Sequence, residues 1–364
     1  MGTAPLEGFA VIFITTKIRR ARRKGDGIVR GCLALCSSCL RGLKHRLAVS
    51  FGFAFAFALA SAAHAAEKPT VIVAVGAPGE PDFAKQFHDW AEKWQQAAET
   101  ADADFHLVGE SDNEKSSDRE QLQKLLAEEQ GEKSEPLWLV LIGHGTYDGQ
   151  SAKFNLRGAD LSAEELAKWL APLKRPLAVI DCTSASAPFL NRLAGENRVV
   201  ITATKSGDEQ SFAHFGQYLS ATIADANADV DKDGQVSLLE AYLTACRNLD
   251  EFYKQEARLP GEHALLDDNG DGLGTPAAWF RGVRATQRAN DGASLDGTRA
   301  HQFHLVISDR EKQLPAELRE RRDALELAIA KLRDEKPKLK EDEYYDRLEK
   351  LMVELARLYE PQYK

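Results

Sequence analysis

At 364 residues the chain is long enough for one large core with appendages. Its net charge of -9 implies no basic surface, which argues against nucleic acid as a general partner. Five cysteines, three of them in the first forty or so residues, exclude a small domain stapled by disulfides.

The N-terminal segment departs from the average charge. Lys17, Arg19, Arg20, Arg22, Arg23, Lys24, Arg30, Arg41, Lys44 and Arg46 make it strongly basic, and an almost wholly apolar stretch over residues 47–60 follows. Ser61-Ala62-Ala63-His64-Ala65 closes that stretch, and Ala63-His64-Ala65 fits the small-residue rule for signal-peptidase cleavage. About 14 apolar residues suit a signal-peptide core, whereas a membrane span needs roughly 20. Residues 1–65 therefore read as a basic leader and signal peptide, with residues 1 to about 40 an over-extended start. The expectation is a periplasmic or extracellular protein with no stable membrane span after cleavage. Cys32, Cys36 and Cys39 leave with the leader, so Cys182 and Cys246 remain, and in an oxidising compartment the two could pair.

In the mature chain, residues 70–75 form a β-branched run ending at Gly76, and Phe83, Phe87, Trp90 and Trp94 give residues 82–100 helical spacing. A second strand is expected over residues 105–108 and a second helix over residues 119–129. The third strand, Leu137-Trp138-Leu139-Val140-Leu141-Ile142, runs into Gly143-His144-Gly145. Ser162 with Glu165 three residues on forms a capping box that opens the next helix. Pro176-Leu177-Ala178-Val179-Ile180 then runs into Asp181-Cys182, and residues 198–203 give a fifth strand. Apolar runs without polar alternation are strands buried on both faces, and strands alternating with helices imply a parallel sheet with helices on both sides. Ligands bind beyond the carboxyl ends of such strands, where His144 and Cys182 fall. A thiol with an ordinary pKa of about 8.5 needs a base or cation to act at neutral pH, and a His on the next strand end meets that need.

A hydrophobic block ending in His-Gly, then a second ending in Cys a few tens of residues later, resembles the caspase-like cysteine peptidases: caspases, metacaspases, gingipains and legumains. The resemblance covers residues 66–226 as a peptidase domain. It implies an α/β fold with a caspase-like parallel sheet, Cys182 as nucleophile and His144 as acid/base. The amides of Gly145 and Cys182 would be the oxyanion donors, and a peptide or protein the substrate, cleaved through a thioester acyl-enzyme. Gly145 lacks a side chain where backbone must approach substrate closely. Asp181, Asp148, Asp208 and Glu209 are the acids available to select a basic P1 residue. The chain departs from the family after the nucleophile: metacaspases have Cys-His-Ser-Gly and caspases Cys-Arg-Gly, whereas Cys182-Thr183-Ser184-Ala185-Ser186 stands here. Legumains share only the small hydroxyl residues.

Residues 227–275 change character. Residues 229–240 fit the EF-hand loop, with Asp229, Asp231, Asp233, Ser237 and Glu240 at the side-chain oxygen positions. Gln235 stands where a backbone carbonyl ligates, Gly234 at the sharp turn and Val236 at the apolar contact. The expected cofactor is Ca²⁺, structural or regulatory, and the alternative is an acidic turn before a helix capped by Ser237. As calcium-dependent metacaspases exist in the resembled group, ordering of the segment after the fifth strand is the control route this suggests. A second acidic loop, Asp267-Asp268-Asn269-Gly270-Asp271-Gly272, has Gly274 in place of the apolar residue and Ala278 in place of the closing Glu, so it reads as a Gly/Asx turn. Residues 276–314 form an irregular linker with His301 and His304 in structural roles. Residues 315–364 form a helical hairpin broken at Pro337, striped by Leu318, Leu325, Ile329 and Leu332 and by Leu348, Leu351, Leu355 and Leu358, available for packing or self-association. Three functions are consistent with this pattern: an exported endopeptidase, a non-catalytic calcium-binding scaffold, or a peptide ligase using the same acyl-enzyme.

Overall fold

The computed structural model describes residues 67–110, 116–131, 133–289 and 293–359; the leader, its cleavage site and its three cysteines lie outside them. The strands are β1 (Thr70–Val75), β2 (Asp104–Val108), β3 (Leu137–Ile142), β4 (Gly145–Tyr147), β5 (Ala152–Phe154), β6 (Leu161–Ser162), β7 (Leu177–Asp181), β8 (Arg198–Thr202), β9 (Leu265–Asp267), β10 (Thr275–Pro276), β11 (Phe280–Arg281) and β12 (Arg284–Ala285), the last two paired with each other alone. A seven-stranded sheet has the order β10-β9-β8-β7-β3-β1-β2. Strands β2, β1, β3, β7 and β8 are parallel, as the alternation of strands and helices predicts. Strand β9 pairs antiparallel to β8, with Val200 opposite Asp267, and β10 pairs antiparallel to β9. The acidic turn after β9 thus belongs to the same sheet as the His144 and Cys182 runs.

The unbroken apolar runs supply both faces. Val71, Val73, Trp138, Val140, Ala178 and Ile180 point to one layer, where they meet α1 (Pro81–Thr100), α5 (Phe215–Thr222) and α6 (Leu238–Gln255). Ile72, Ala74, Leu139, Leu141 and Val179 point to the other, against α2 (Asp118–Glu128), α3 (Ala163–Leu170) and α4 (Ala187–Leu193). Each such side chain, fully removed from water, contributes about 1.5–3 kcal/mol. Helix α1 starts on Pro81 and buries Phe87, Trp90 and Trp94 on one stripe. The capping box at Ser162 and Glu165 is present, and Ser117 with Glu120 makes a second one ahead of α2.

At the amino-terminal edge of the sheet Arg175, with no exposed side-chain surface, ion-pairs with Glu129. It also donates to Thr70 Oγ1 at 3.3 Å and to the carbonyls of Glu135 and Pro136 at 2.6 and 3.2 Å. This network ties α2, β1, β3 and the entry to β7.

Beyond the sheet lie α7 (Thr298–Gln302), α8 (Asp309–Lys312), α9 (Ala316–Glu335) and α10 (Glu341–Tyr359). The expected hairpin is α9 and α10: Leu325, Ile329 and Leu332 of α9 are buried, whereas α10 buries only Tyr344 among its described residues. Among the described residues no helix is long and apolar enough to cross a membrane.

Candidate functional site

The carboxyl end of the parallel strands gathers the residues after β3, β7 and β8. Gly143, at φ 155°, turns the chain out of β3 and presents His144 before β4 begins. The imidazole lies edge-on to Phe83, with centroids 4.8 Å apart, and beside Phe87 and Phe212 at 5.3 and 5.8 Å. Its Nε2 is 3.1 Å from the Pro78 carbonyl, so Nε2–H donates there and Nδ1 carries the lone pair of the neutral ring.

Cys182 is 1% exposed. Its N–H still donates to Leu141 O at 2.9 Å, so the residue continues the β7 ladder and turns its thiol into the layer of α1 and α5. A Cβ placed on Gly216 would come within 2.8 Å of both Cys182 Cβ and the Trp90 ring, so the thiol lies under a glycine of α5. Burial pushes the Cys182 thiol well up, and the Asp181 and Glu262 charges add to the rise. Among the described residues no hydrogen bond joins Cys182 to His144. Cys182 and Cys246 are both free thiols, so the disulfide alternative is not formed.

The expected oxyanion donors are already engaged. Besides the Cys182 amide, the Gly145 N–H donates to Ser184 Oγ at 3.2 Å, and that hydroxyl donates back to Gly145 O at 3.1 Å. A Cβ on Gly145 would stand 2.1 Å from Ser184 O and 2.7 Å from Thr183 Oγ1. The close approach that Gly145 permits is thus to the chain's own 183–184 backbone. Thr183 donates its N–H and hydroxyl to Asp181 Oδ1 at 3.0 and 2.6 Å. Asp181 is fully buried, its Oδ2 has no hydrogen-bond partner among the described residues, and burial pushes its carboxyl up to about 7.

The other acids expected to face a P1 residue spread over this edge. Asp148 is exposed and closes a turn by accepting from the N–H groups of Gln150 and Ser151, which hold its carboxyl below the usual range. Asp208 is exposed, and Glu209 pairs with His263 at 2.6 Å and Lys205 at 3.8 Å. Sequence reasoning missed Glu262. This buried carboxylate accepts from the N–H groups of His214 and Phe215 at the start of α5 and from Tyr253 OH, at 2.8 to 2.9 Å. No local pattern marks it, because its partners come from elsewhere in the chain.

In the 229–240 loop the acidic side chains accept from the loop's own backbone. Asp229 accepts from the N–H groups of Lys232 and Gly234, Asp231 from Asp233, and Asp233 from Gln235, while Gly234 takes φ 91° at the turn. Ligand oxygens of Asp229, Asp231 and Asp233 lie within 4.8 Å of one another. Glu240 receives the N–H groups of Val230 and Asp231 on Oε1 and caps α6 with Ser237 through Oε2. The three aspartates converge and retain lone pairs, which suits a hard cation such as Ca²⁺, and Glu240 comes close to Asp231. Ser237 is committed to the cap, and the Gln235 side chain accepts from Ser308 N at 2.9 Å.

The second acidic loop repeats this hydrogen-bond pattern, with Asn269 accepting from the Asp271 N–H and Asp271 from the Leu273 N–H. Asp267 accepts from the N–H groups of Gly270 and Gly272. Asp268 and Asp296 also clasp each other's segments. Asp296 Oδ1 receives the N–H groups of Asp268 and Asn269, and the Asp268 carboxylate those of Gly297 and Ala300. Burial, then the Asp268 charge, pushes Asp296 up to about 8.

No family model matches the chain, and no curated protein does. Among solved structures it is similar to caspase-1 from Spodoptera frugiperda, with a TM-score of 0.36 and 10% identity, over 55% of this chain and 86% of that one. The Drosophila initiator caspase Dronc gives 0.36 and 11%, over 56% and 80%. Raptor from Chaetomium thermophilum gives 0.29 and 12%, over 43% and 18%. Likenesses this weak do not bear on activity. The class defined by the strand order and pairing is an α/β protein with a mostly parallel sheet covered by helices on both faces.

Proposed function

We propose that this chain is an exported, calcium-binding protein of caspase-like architecture that acts as a binding module and not as a thiol peptidase. The observation that carries the reading is the double engagement at the strand ends. The Cys182 amide is in the β7 ladder and its thiol in the core, and the Gly145 amide is held by Ser184 Oγ. A nucleophile must reach the scissile carbonyl and oxyanion donors must point at the developing charge, and the buried thiol with both amides already engaged supports the binding reading over the catalytic one. Treatment with a peptide acyloxymethyl ketone, with and without Ca²⁺, tests this. No labelling of Cys182 is expected in either case, and labelling that disappears in His144→Ala would overturn the reading.

A second reading is favoured by the position of His144 and Cys182 beyond adjacent parallel strands. In it, Ca²⁺ at residues 229–240 reorganises α5 and exposes the thiol, giving a calcium-dependent endopeptidase or, with an amine acceptor, a ligase. Labelling that appears only with Ca²⁺ and is abolished by chelator would select it.

A further inference from the structure

We propose that Asp231, Glu240 and His301 form a site for a divalent transition ion of the zinc class, sharing two ligands with the calcium loop and excluding Ca²⁺ when filled. It rests on the loop geometry that carries the calcium reading. His301 comes from α7, far along the chain, and its Nε2 stands 2.9 Å from Asp231 Oδ2. One ligand atom from each of Asp231, Glu240 and His301 falls within 4.8 Å of the others. The imidazole is held there from both sides: Asp268 anchors the Gly297 and Ala300 amides, and Phe303 O accepts from Leu238 N at 2.7 Å. Ca²⁺ takes oxygen donors and has no use for an imidazole, whereas one His with carboxylates is a donor set for Zn²⁺ and its neighbours.

A second imidazole independently points to an ion. His304 Nδ1 lies 3.2 Å from Gln302 O, to which its N–H donates, so Nε2 carries the lone pair in the neutral ring. That Nε2 is buried and has no hydrogen-bond partner among the described residues. A backbone carbonyl fixing one ring nitrogen so that the other is a free donor is the usual support of a metal-bound His. His304 forms an isolated antiparallel bridge with Ser237, which places this ring against the loop.

The test uses Co²⁺ as the ion and the protein as it exists. The unmodified protein is expected to develop visible Co²⁺ absorption on titration, and Ca²⁺ to displace it. His301→Gln should weaken Co²⁺ by about tenfold or more while leaving calorimetric Ca²⁺ binding unchanged, which also reports an intact fold. Absence of Co²⁺ absorption in the unmodified protein, or equal affinity in His301→Gln, overturns the proposal. If Ca²⁺ fails to bind while His301-dependent Co²⁺ binding persists, the calcium reading falls and this site stands.

Discussion

Cys182 owes its place in the core to a side chain that Gly216 lacks. Gly216→Ala would put a Cβ 2.8 Å from Cys182 Cβ and from the Trp90 ring, an overpacking that typically costs about 1–3 kcal/mol, readable as a lowered denaturant midpoint with an unchanged slope. Gly145→Ala tests the neighbouring contact. Its Cβ would meet the Ser184 carbonyl at 2.1 Å, and backbone cannot swing aside as a side chain can. The expected outcome is a loss of stability that no choice of substrate reveals. Asp296 gives the opposite sign. Its carboxyl is held up to about 8 against about 3.9 in the unfolded chain, so the unfolded state releases its proton first, and stability falls as pH rises between those values. Asp296→Asn retains an acceptor for the Asp268 and Asn269 amides and removes the charge. Its melting temperature should exceed that of the unmodified protein at pH 8 and match it near pH 4. A variant that is less stable at both values would show that the second carboxylate oxygen matters more than the charge.

At the scale of elements, strands β1, β3 and β7 were legible because each is a nearly unbroken apolar run, and a strand buried on both faces has few polar residues to disguise it. Helices α3 and α6 were legible through Ser162 with Glu165 and Ser237 with Glu240, where the cap is written in consecutive residues. Strands β9 and β10 were not, since three and two residues carry no periodicity, and β9 is held by pairing to β8 across a gap of more than sixty positions. At the candidate site the sequence showed which residues reach the strand ends but not which way they turn. The side of the sheet that Cys182 faces follows from its place in the β7 ladder, and the engagement of Gly145 follows from the fold of residues 183–184. Arg175 was likewise silent in the sequence, yet it joins α2, β1, β3 and β7. Removing one partner of a buried ion pair costs about 3–5 kcal/mol because the other charge stays buried, whereas replacing both by apolar residues of similar volume can be nearly neutral. Arg175→Met should therefore unfold at markedly lower denaturant than Arg175→Met combined with Glu129→Leu.

For the whole molecule, burial raises several acids, among them Asp267 to about 6, Asp181 to about 7 and Asp296 to about 8, with Glu262 and Asp268 moved the same way. Each lowers stability as pH climbs from the unfolded carboxylate range to its folded value. Glu165, held down to about 2 first by Arg119, acts in reverse: its contribution is present above the unfolded pKa and disappears as pH falls toward 2. The melting temperature should thus be highest at mildly acidic pH and decline toward pH 8, and a maximum above pH 8 would contradict these assignments. Calcium adds a separate lever. At about 100 times its dissociation constant a ligand specific for the folded state stabilises by about 2.7 kcal/mol, so a thermal shift in CaCl₂ that vanishes in Asp233→Asn is expected. No shift would reduce residues 229–240 to a helix cap.

The parallel register of β1 with β3 also fixes how the protein can be handled. Because β1 runs the same way as β3 and β7, the chain enters the sheet at the Arg175 edge, the end opposite His144. A tether at residue 67 therefore leaves the strand-end surface free for the labelling, whereas the metal titrations call for protein in solution, because Leu238 bonds Phe303 O and the Phe303 ring packs on Trp138 at the start of β3, on the tethered side.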